Sequence, residues 1–318
     1  MAKIGYTLSS EEHGPNALVD NAVRAESVGF EFVSISDHFH PWTSTQGESP
    51  FVWSTLGAIA RATDDLEVGV GVTCPTIRMH PAIHAQAVAT VAAMFEGRFT
   101  FGVGTGENLN EHVLGDRWPE HEVRLEMLEE AMTVMEKLWT GENVSHHGEH
   151  YTVENARLYT LPEEPPPVVV SAFGPKTARM AAEHGDGLWT VGSQEKILEA
   201  YEEAGGDGPT YTQLDVCYAE TEDEAVDTAY EHWPNTALPG ELSQQLPTPA
   251  HFEQAIEMVD REDIAAGSTV TSPDPEDHRE RIREAIDVGY DYVYVHQIGP
   301  DQSSFFECYE TDVVPAFE

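Results

Sequence analysis

A chain of 318 residues with 40% hydrophobic side chains can bury two ordinary cores or build one large α/β barrel. Its 57 acidic residues outweigh 16 basic ones, and a formal charge of -41 argues against nucleic acid or an anionic membrane as partner, since both are bound by neutralising phosphate. The Debye length shrinks to about 3 Å at ~1 M salt, so acidity spread through the whole chain points to a halophilic protein of a salt-rich, archaeal-like cytoplasm rather than to an interaction tail.

The opening MAKIGYTL has no apolar run of signal-peptide length and no later stretch approaches a membrane span, so a soluble, cytoplasmic protein is expected. Residues 3–8 read as a strand. Pro15 opens a helix with Leu18, Val19, Ala22 and Val23 on one side, and Gly29 closes it. A second strand, Phe32-Val33-Ser34-Ile35, runs into Asp37-His38-Phe39-His40-Pro41-Trp42, where titratable groups crowd the end of a hydrophobic strand and cannot all be core. A helix over 51–62, a strand over 66–72, a helix over 81–94, a strand over 98–103 and a long helix over 123–139 follow. Met132 and Met135 in that last helix read as core filler.

Residues 141–166 interrupt the rhythm with His146, His147 and His150 in what reads as a solvent-exposed polar turn, then Pro165-Pro166-Pro167. Strand 168–172, helix 175–183, strand 187–191, helix 194–204, strand 214–219 and a helix to about 232 resume it. A second insertion is expected over about 233–262, before a helix over 275–287, a strand over 292–296 and a terminal helix near 303–312. Eight strand–helix units predict a (β/α)8 TIM barrel, one domain over 1–318, with its active site at the carboxyl ends of the strands.

Polar and glycine-rich segments do follow the strands, at 37–42, 71–76, 104–110, 171–175 and 190–193. Glycines in four of these loops suggest close approach of backbone to one large flat ligand. Gly102, Gly104 and Gly106 do not make a Rossmann loop, because the third glycine of that motif would fall at Glu107. Phe173-Gly174-Pro175-Lys176 is a better anion seat, with helix N–H groups free and Arg179 near. His38 and Glu107 are the pair expected to move protons, one titrating near neutrality and the other raised by desolvation beside an apolar ligand. Trp42 adds a wall or an indole N–H. Singly, these residues read equally as a turn cap, a satisfied buried histidine and a core ring; together they read as a reaction site. No metal is expected: Asp37, His38 and His40 are too close in sequence to share an ion, His80 and His84 have no completing ligand, and Cys74, Cys217 and Cys308 have no ligand spacing.

SDHFHPW (36–42), PTIRMHPAIHAQAVAT (75–90), FGVGTGENLNE (101–111), VSAFGP (170–175) and AEHGDGLWT (182–190) resemble the luciferase-like monooxygenase superfamily, in the branch that uses the deazaflavin coenzyme F420. The chain is most similar there to F420-dependent glucose-6-phosphate dehydrogenases and related alcohol dehydrogenases. The resemblance implies a bacterial luciferase-like barrel and hydride exchange between a substrate carbinol carbon and C5 of the deazaflavin (8-hydroxy-5-deazaflavin), with FMN the lesser candidate. It implies that Asp37 and Asn110 hold the deazaflavin, that Gly71-Val72 is a bulged and conceivably cis backbone behind it, and that Cys74 stands where the family often has threonine. Phe173, Gly174 and Lys176 would seat the coenzyme phosphate, His38 and Glu107 would be the acid–base pair, and Trp42 would stabilise developing charge. Where the sugar-phosphate enzymes clamp phosphate with basic residues, this chain has Gln194, Ala266 and Asp291, with Lys196 and Arg261 nearby; an uncharged alcohol or free sugar is therefore favoured over a sugar phosphate. The competing readings are an FMN monooxygenase, a glucose-6-phosphate dehydrogenase with a rearranged phosphate site, and a catalytically silent flavin or deazaflavin binder. A small-molecule substrate and a homodimer complete the expectation.

Overall fold

Short runs of β-branched and aromatic residues alternate with amphipathic helices, and each run is long enough to cross a barrel wall once. A computed structural model describes residues 2–317. Its strands are β1 (Lys3–Leu8), β2 (Phe32–Ile35), β3 (Glu67–Thr73), β4 (Phe99–Val103), β5 (Val144–His147), β6 (Thr152–Ala156), β7 (Val168–Ser171), β8 (Gly187–Val191), β9 (Thr210–Cys217), β10 (Val270–Thr271) and β11 (Tyr292–Gln297). The order β1-β2-β3-β4-β7-β8-β9-β11 returns to β1 through parallel pairings, so eight strands close a (β/α)8 barrel. β10 adds two residues beside β9, and β5 with β6 forms a separate antiparallel hairpin.

The crossover helices begin and end where local chemistry dictates. Pro15, Pro81, Pro175 and Pro275 occupy the first turns of their helices, where a missing N–H costs nothing and the fixed φ suits the helix. Gly29 and Gly289 end theirs at φ 102° and 119°, a region that strains residues bearing a Cβ.

Inside the barrel the side chains are aromatic. Phe32, Trp189, Tyr211 and Tyr294 are buried together, with Trp189 stacked on Tyr211 at 4.6 Å and Tyr211 on Tyr292 at 4.2 Å. Burying each contributes about 1.5–3 kcal/mol. Rings this large fit because other strands offer no side chain: a Cβ on Gly69 would stand 2.8 Å from both Trp189 and Phe32, so Gly69→Ala would have to break the stack.

Three boundaries differ from the sequence reading. β9 starts at Thr210, not 214; the polar run Thr210 to Gln213 conceals a strand whose Tyr211 completes the aromatic interior and whose Thr212 hydroxyl donates to the Gly192 carbonyl at 2.9 Å. The excursion after residue 141 contains the β5–β6 hairpin, and only His147 of its histidines is well exposed. His146 Nε2 lies 3.0 Å from Glu130, whose carboxylate also accepts the N–H groups of Glu149, His150 and Tyr151; His146 and His150 are thus drawn inward by one carboxylate. Third, the segment after 232 holds short helices, among them Leu242–Gln245 and Pro249–Ile256. Its Phe252 is fully buried, with its ring 5.1 Å from that of Trp42, so the segment packs over the end of β2. Among the described residues no helix is long and apolar enough to cross a membrane.

Candidate active site

A cavity of about 370 Å³ opens where the strands end, lined from all eight strand ends, the position expected for a parallel barrel. Neither lysine nor arginine lines it, whereas Glu11, Asp37, Glu107 and Asp215 do, with His38 and His296. A larger depression, about 640 Å³, lies where β7, β8 and β9 begin, and Glu136 and Asp186 are its titratable groups. It is at the wrong end of the barrel and gathers no convergent chemistry.

His38 is held from both sides. Its Nδ1 faces the His40 carbonyl at 3.1 Å, so the N–H sits there and Nε2 is the atom that gains or loses a proton. Nε2 lies 3.3 Å from Glu11 Oε1 and 3.4 Å from Glu107 Oε2. Burial by itself would push the His38 pKa down; the Glu11 carboxylate, then Glu107 and the His40 carbonyl, reverse this and hold it above its ordinary value. Glu107 is raised by burial, with His38 opposing. The Trp42 ring lies 5.0 Å from the imidazole, placing aromatic surface beside a group that charges. Glu11 was not foreseen from the sequence, although it lies in the loop that leaves β1 as Asp37 lies in the loop that leaves β2.

Asp37 and Asn110 face the cavity, but their polar atoms are engaged within the protein. Asp37 Oδ2 accepts from the Thr73 hydroxyl at 2.8 Å and Oδ1 lies 2.9 Å from Arg78. Asn110 Oδ1 accepts the N–H of Phe39 at 2.9 Å and of His40 at 3.2 Å, and its Nδ2 donates to Glu107 at 3.0 Å. Asn110 thereby ties the β2 loop to the β4 loop. Arg78 reaches Glu111 as well, its backbone N–H donating at 2.8 Å; burial raises the Glu111 pKa to about 7, against the pull of Arg78.

A second charged set escaped the sequence reading. His296, at the end of β11, presents Nε2 to Glu12 at 2.9 Å and Nδ1 to Asp215 at 3.2 Å. Burial would lower its pKa, but bonds to Asp215 and Glu12 raise it to about 10. Glu12 is depressed because His296 and the Gly299 N–H outweigh its burial. The Trp233 ring stands edge-on to His296 at 4.5 Å. The rule that chemistry gathers at strand ends, extended to β1, β9 and β11, finds Glu11, Glu12, Asp215 and His296.

Cys74, Gly71 and Val72 line the cavity. The Gly71–Val72 peptide is cis, and the β3–β4 register shifts between Val70 and Thr73. Phe173 lines the rim and is 63% exposed; Gly174 leaves the amino end of helix Pro175–His184 open, with nothing near a Cβ placed there. Lys176 instead pairs with Glu122 at 3.3 Å on the surface, so as an anion ligand it must first leave a weak exposed partner. Three expected substrate contacts are displaced. Asp291 lies at the amino end of β11, where Oδ2 accepts from Thr210 N at 2.9 Å, the far end of the barrel. Gln194 and Ala266 are exposed and do not line the cavity. Arg261 cannot replace them, being bound to Asp223 and Asp227. His80 caps helix Pro81–Phe95 by accepting the Ala82 N–H at 3.1 Å, while His84 is buried against Trp53 and pushed down to about 4 by that burial; both roles are structural.

A family model for luciferase-like monooxygenases matches residues 1–292. The chain is 36% identical over 326 residues to the F420-dependent glucose-6-phosphate dehydrogenase of Microbacterium testaceum, covering 98% of this chain and 96% of that one. It is 36% identical to the enzyme of the same name from Intrasporangium calvum, over 99% and 98%. Among solved structures, an F420-dependent secondary alcohol dehydrogenase in complex with an F420–acetone adduct superposes at a TM-score of 0.91 with 30% identity, covering 100% of this chain and 99% of that one.

Proposed function

The chain belongs to the luciferase-like monooxygenase family, and from that premise we propose that it is a coenzyme F420-dependent oxidoreductase acting on the CH–OH group of a small, uncharged carbinol. The observation that carries the reading is His38 Nε2 set between Glu11 and Glu107 on the wall of a cavity with no lysine or arginine. The cavity suits the coenzyme ring: Val72, Cys74 and Phe173 offer apolar surface, the bare backbone of Gly104 and Gly106 lies beside them, and its volume falls in the range of cofactor sites.

When bound, F420 supplies the deazaflavin carbon that exchanges a hydride with the carbinol carbon. The chain handles the proton. In carbonyl reduction the His38 imidazolium gives its Nε2 proton to the forming alkoxide; in carbinol oxidation the neutral ring takes it back at the same atom. Glu11 and Glu107 favour the charged ring, Trp42 lies against it, and Glu107, itself raised, is the second proton-holding group of the pair. Asp37 and Asn110 are positioning residues, fixing the β2 loop through Arg78, Thr73 and the Phe39 and His40 N–H groups. The coenzyme's phosphate end would reach Phe173, Gly174 and the free N–H groups of helix Pro175–His184, with Lys176 released from Glu122. One barrel domain with excursions at 141–166 and 233–262, working as a homodimer in a salt-rich cytoplasm, belongs to the same reading, and its support is the acidity of the chain and its resemblance to the F420 branch.

The test is a fluorescence titration with F420 and FMN in molar salt, followed by turnover on a panel of carbinols. Micromolar or tighter F420 binding with F420-linked turnover is expected. Preference for FMN with oxygen consumption would make the chain a monooxygenase, and coenzyme binding without turnover of any carbinol would make it a silent binder.

A further inference from the structure

One wall of the cavity is not used by the proton-transfer pair. It is built from the last two barrel strands to join in the chain, β9 and β11, where Asp215 and His296 are registered side by side. His296 Nδ1 and Gln213 Nε2 both meet Asp215 at its Oδ1, at 3.2 and 3.0 Å. That leaves Oδ2 to the cavity, on a side chain 15% exposed. His296 is in turn fixed by Glu12, whose other oxygen accepts the Gly299 N–H at 2.9 Å. The carboxylate is therefore held in one orientation by two hydrogen bonds and pre-aimed, the arrangement that makes a hydrogen-bond acceptor selective. Beside it the cavity offers neutral polar groups, Gln213, Asn235 and Ser268, and the flat ring of Trp233, whose Nε1 is buried and has no hydrogen-bond partner among the described residues.

We propose that the Asp215–His296 wall is a hydroxyl-recognition subsite that selects an unphosphorylated polyhydroxylated substrate, a free sugar or polyol, over both a sugar phosphate and a simple alcohol. The inference rests on the F420-dependent carbinol chemistry proposed above. A sugar phosphate brings a dianion to a cavity that holds Glu11, Asp37, Glu107 and Asp215 and no basic side chain but histidine. A simple alcohol reaches His38 but leaves Asp215 Oδ2 without a donor, and sites built to bond a hydroxyl discriminate strongly against ligands that lack it. A polyol does neither: its neighbouring hydroxyls donate to Oδ2 and accept from Gln213, Asn235 or Ser268, while its C–H face lies on tryptophan.

The test compares wild type and Asp215→Asn, each loaded with F420 in molar salt, on D-glucose, sorbitol, glucose 6-phosphate and 2-propanol. Wild-type kcat/KM is expected to be at least tenfold higher for glucose or sorbitol than for the phosphate or 2-propanol. Asp215→Asn should lower kcat/KM for the polyol about 10- to 100-fold, chiefly through KM, and so shrink the ratio of polyol to 2-propanol, with the F420 dissociation constant within a factor of three of wild type. A wild-type ranking led by 2-propanol or by the phosphate overturns the subsite while leaving the F420 assignment standing. An unchanged ratio in a folded Asp215→Asn overturns it too. If that variant does not fold, Ser268→Ala, on the exposed rim, and the wild-type ranking decide. Absence of F420 binding in wild type is the separate failure that removes the carbinol reading itself.

Discussion

His38 Nε2 and Glu11 Oε1 lie 3.3 Å apart, so the histidine at the end of β2 is shared by two carboxylates rather than paired with Glu107 alone. Glu11 is in turn oriented, accepting from the Ser36 hydroxyl at 2.7 Å. Proton affinity at His38 is therefore set by residues from the ends of β1, β2 and β4.

Glu11→Gln removes the larger of the two charges that raise His38. The His38 limb of the pH–rate profile should move to lower pH, because the protonated ring loses a counter-charge. A profile of kcat/KM from pH 5 to 9 checks this, and an unmoved limb would detach Glu11 from the proton.

Glu107→Gln should lower turnover by about 10²–10⁴-fold, the usual contribution of a positioned acid or base, with coenzyme affinity nearly unchanged. Single-turnover absorbance of F420 separates the two quantities. Near-normal hydride transfer would deny Glu107 its proton role.

The raised pKa of His296 links stability to alkaline pH. Its folded value is about 10 against an ordinary 6.5, so the stabilisation is complete below pH 6.5 and is lost as pH rises through about 10. Urea midpoints should fall across that window. In His296→Ala the carboxylates of Glu12 and Asp215 are left buried without their cation, a loss of about 3–5 kcal/mol at neutral pH, and the alkaline slope should flatten.

Gly106 has φ 79°, and a Cβ there would run into the Cys74 sulfur. Gly106→Ala should cost about 1 kcal/mol or more in backbone strain and displace the adjoining Glu107 loop. Weaker F420 binding in titration, together with a lowered melting point, is the expected pair of effects.

With a formal charge of -41, the folded chain should gain stability steeply as added KCl screens its self-repulsion. Circular-dichroism melts from 0.1 to 3 M KCl check it. A midpoint independent of salt would contradict the halophilic reading.

The barrel was legible because its signals are local: strand patterns of a few residues, prolines in first helical turns, glycines at helix ends, and polar residues after strands. The place of His38, Glu107 and Trp42 on the cavity wall was legible for the same reason, because they follow hydrophobic strands. β9 was read short because Thr210 to Gln213 is polar in sequence, and only closure of the barrel makes Tyr211 an interior ring. Asp291 was misplaced because a one-dimensional alignment does not tell which end of a strand a residue occupies. The charges that tune the site lay beyond sequence reasoning. Glu12 and His296 are 284 residues apart and Asp215 and His296 are 81 apart, and the shifts of Glu12 and His296 come from burial and from contacts that only the folded chain makes. Composition and local pattern therefore determined the architecture and the first catalytic candidates. Which carboxylates surround His38 and His296, and which walls line the cavity, was decided when eight strands closed and brought the two ends of the chain together.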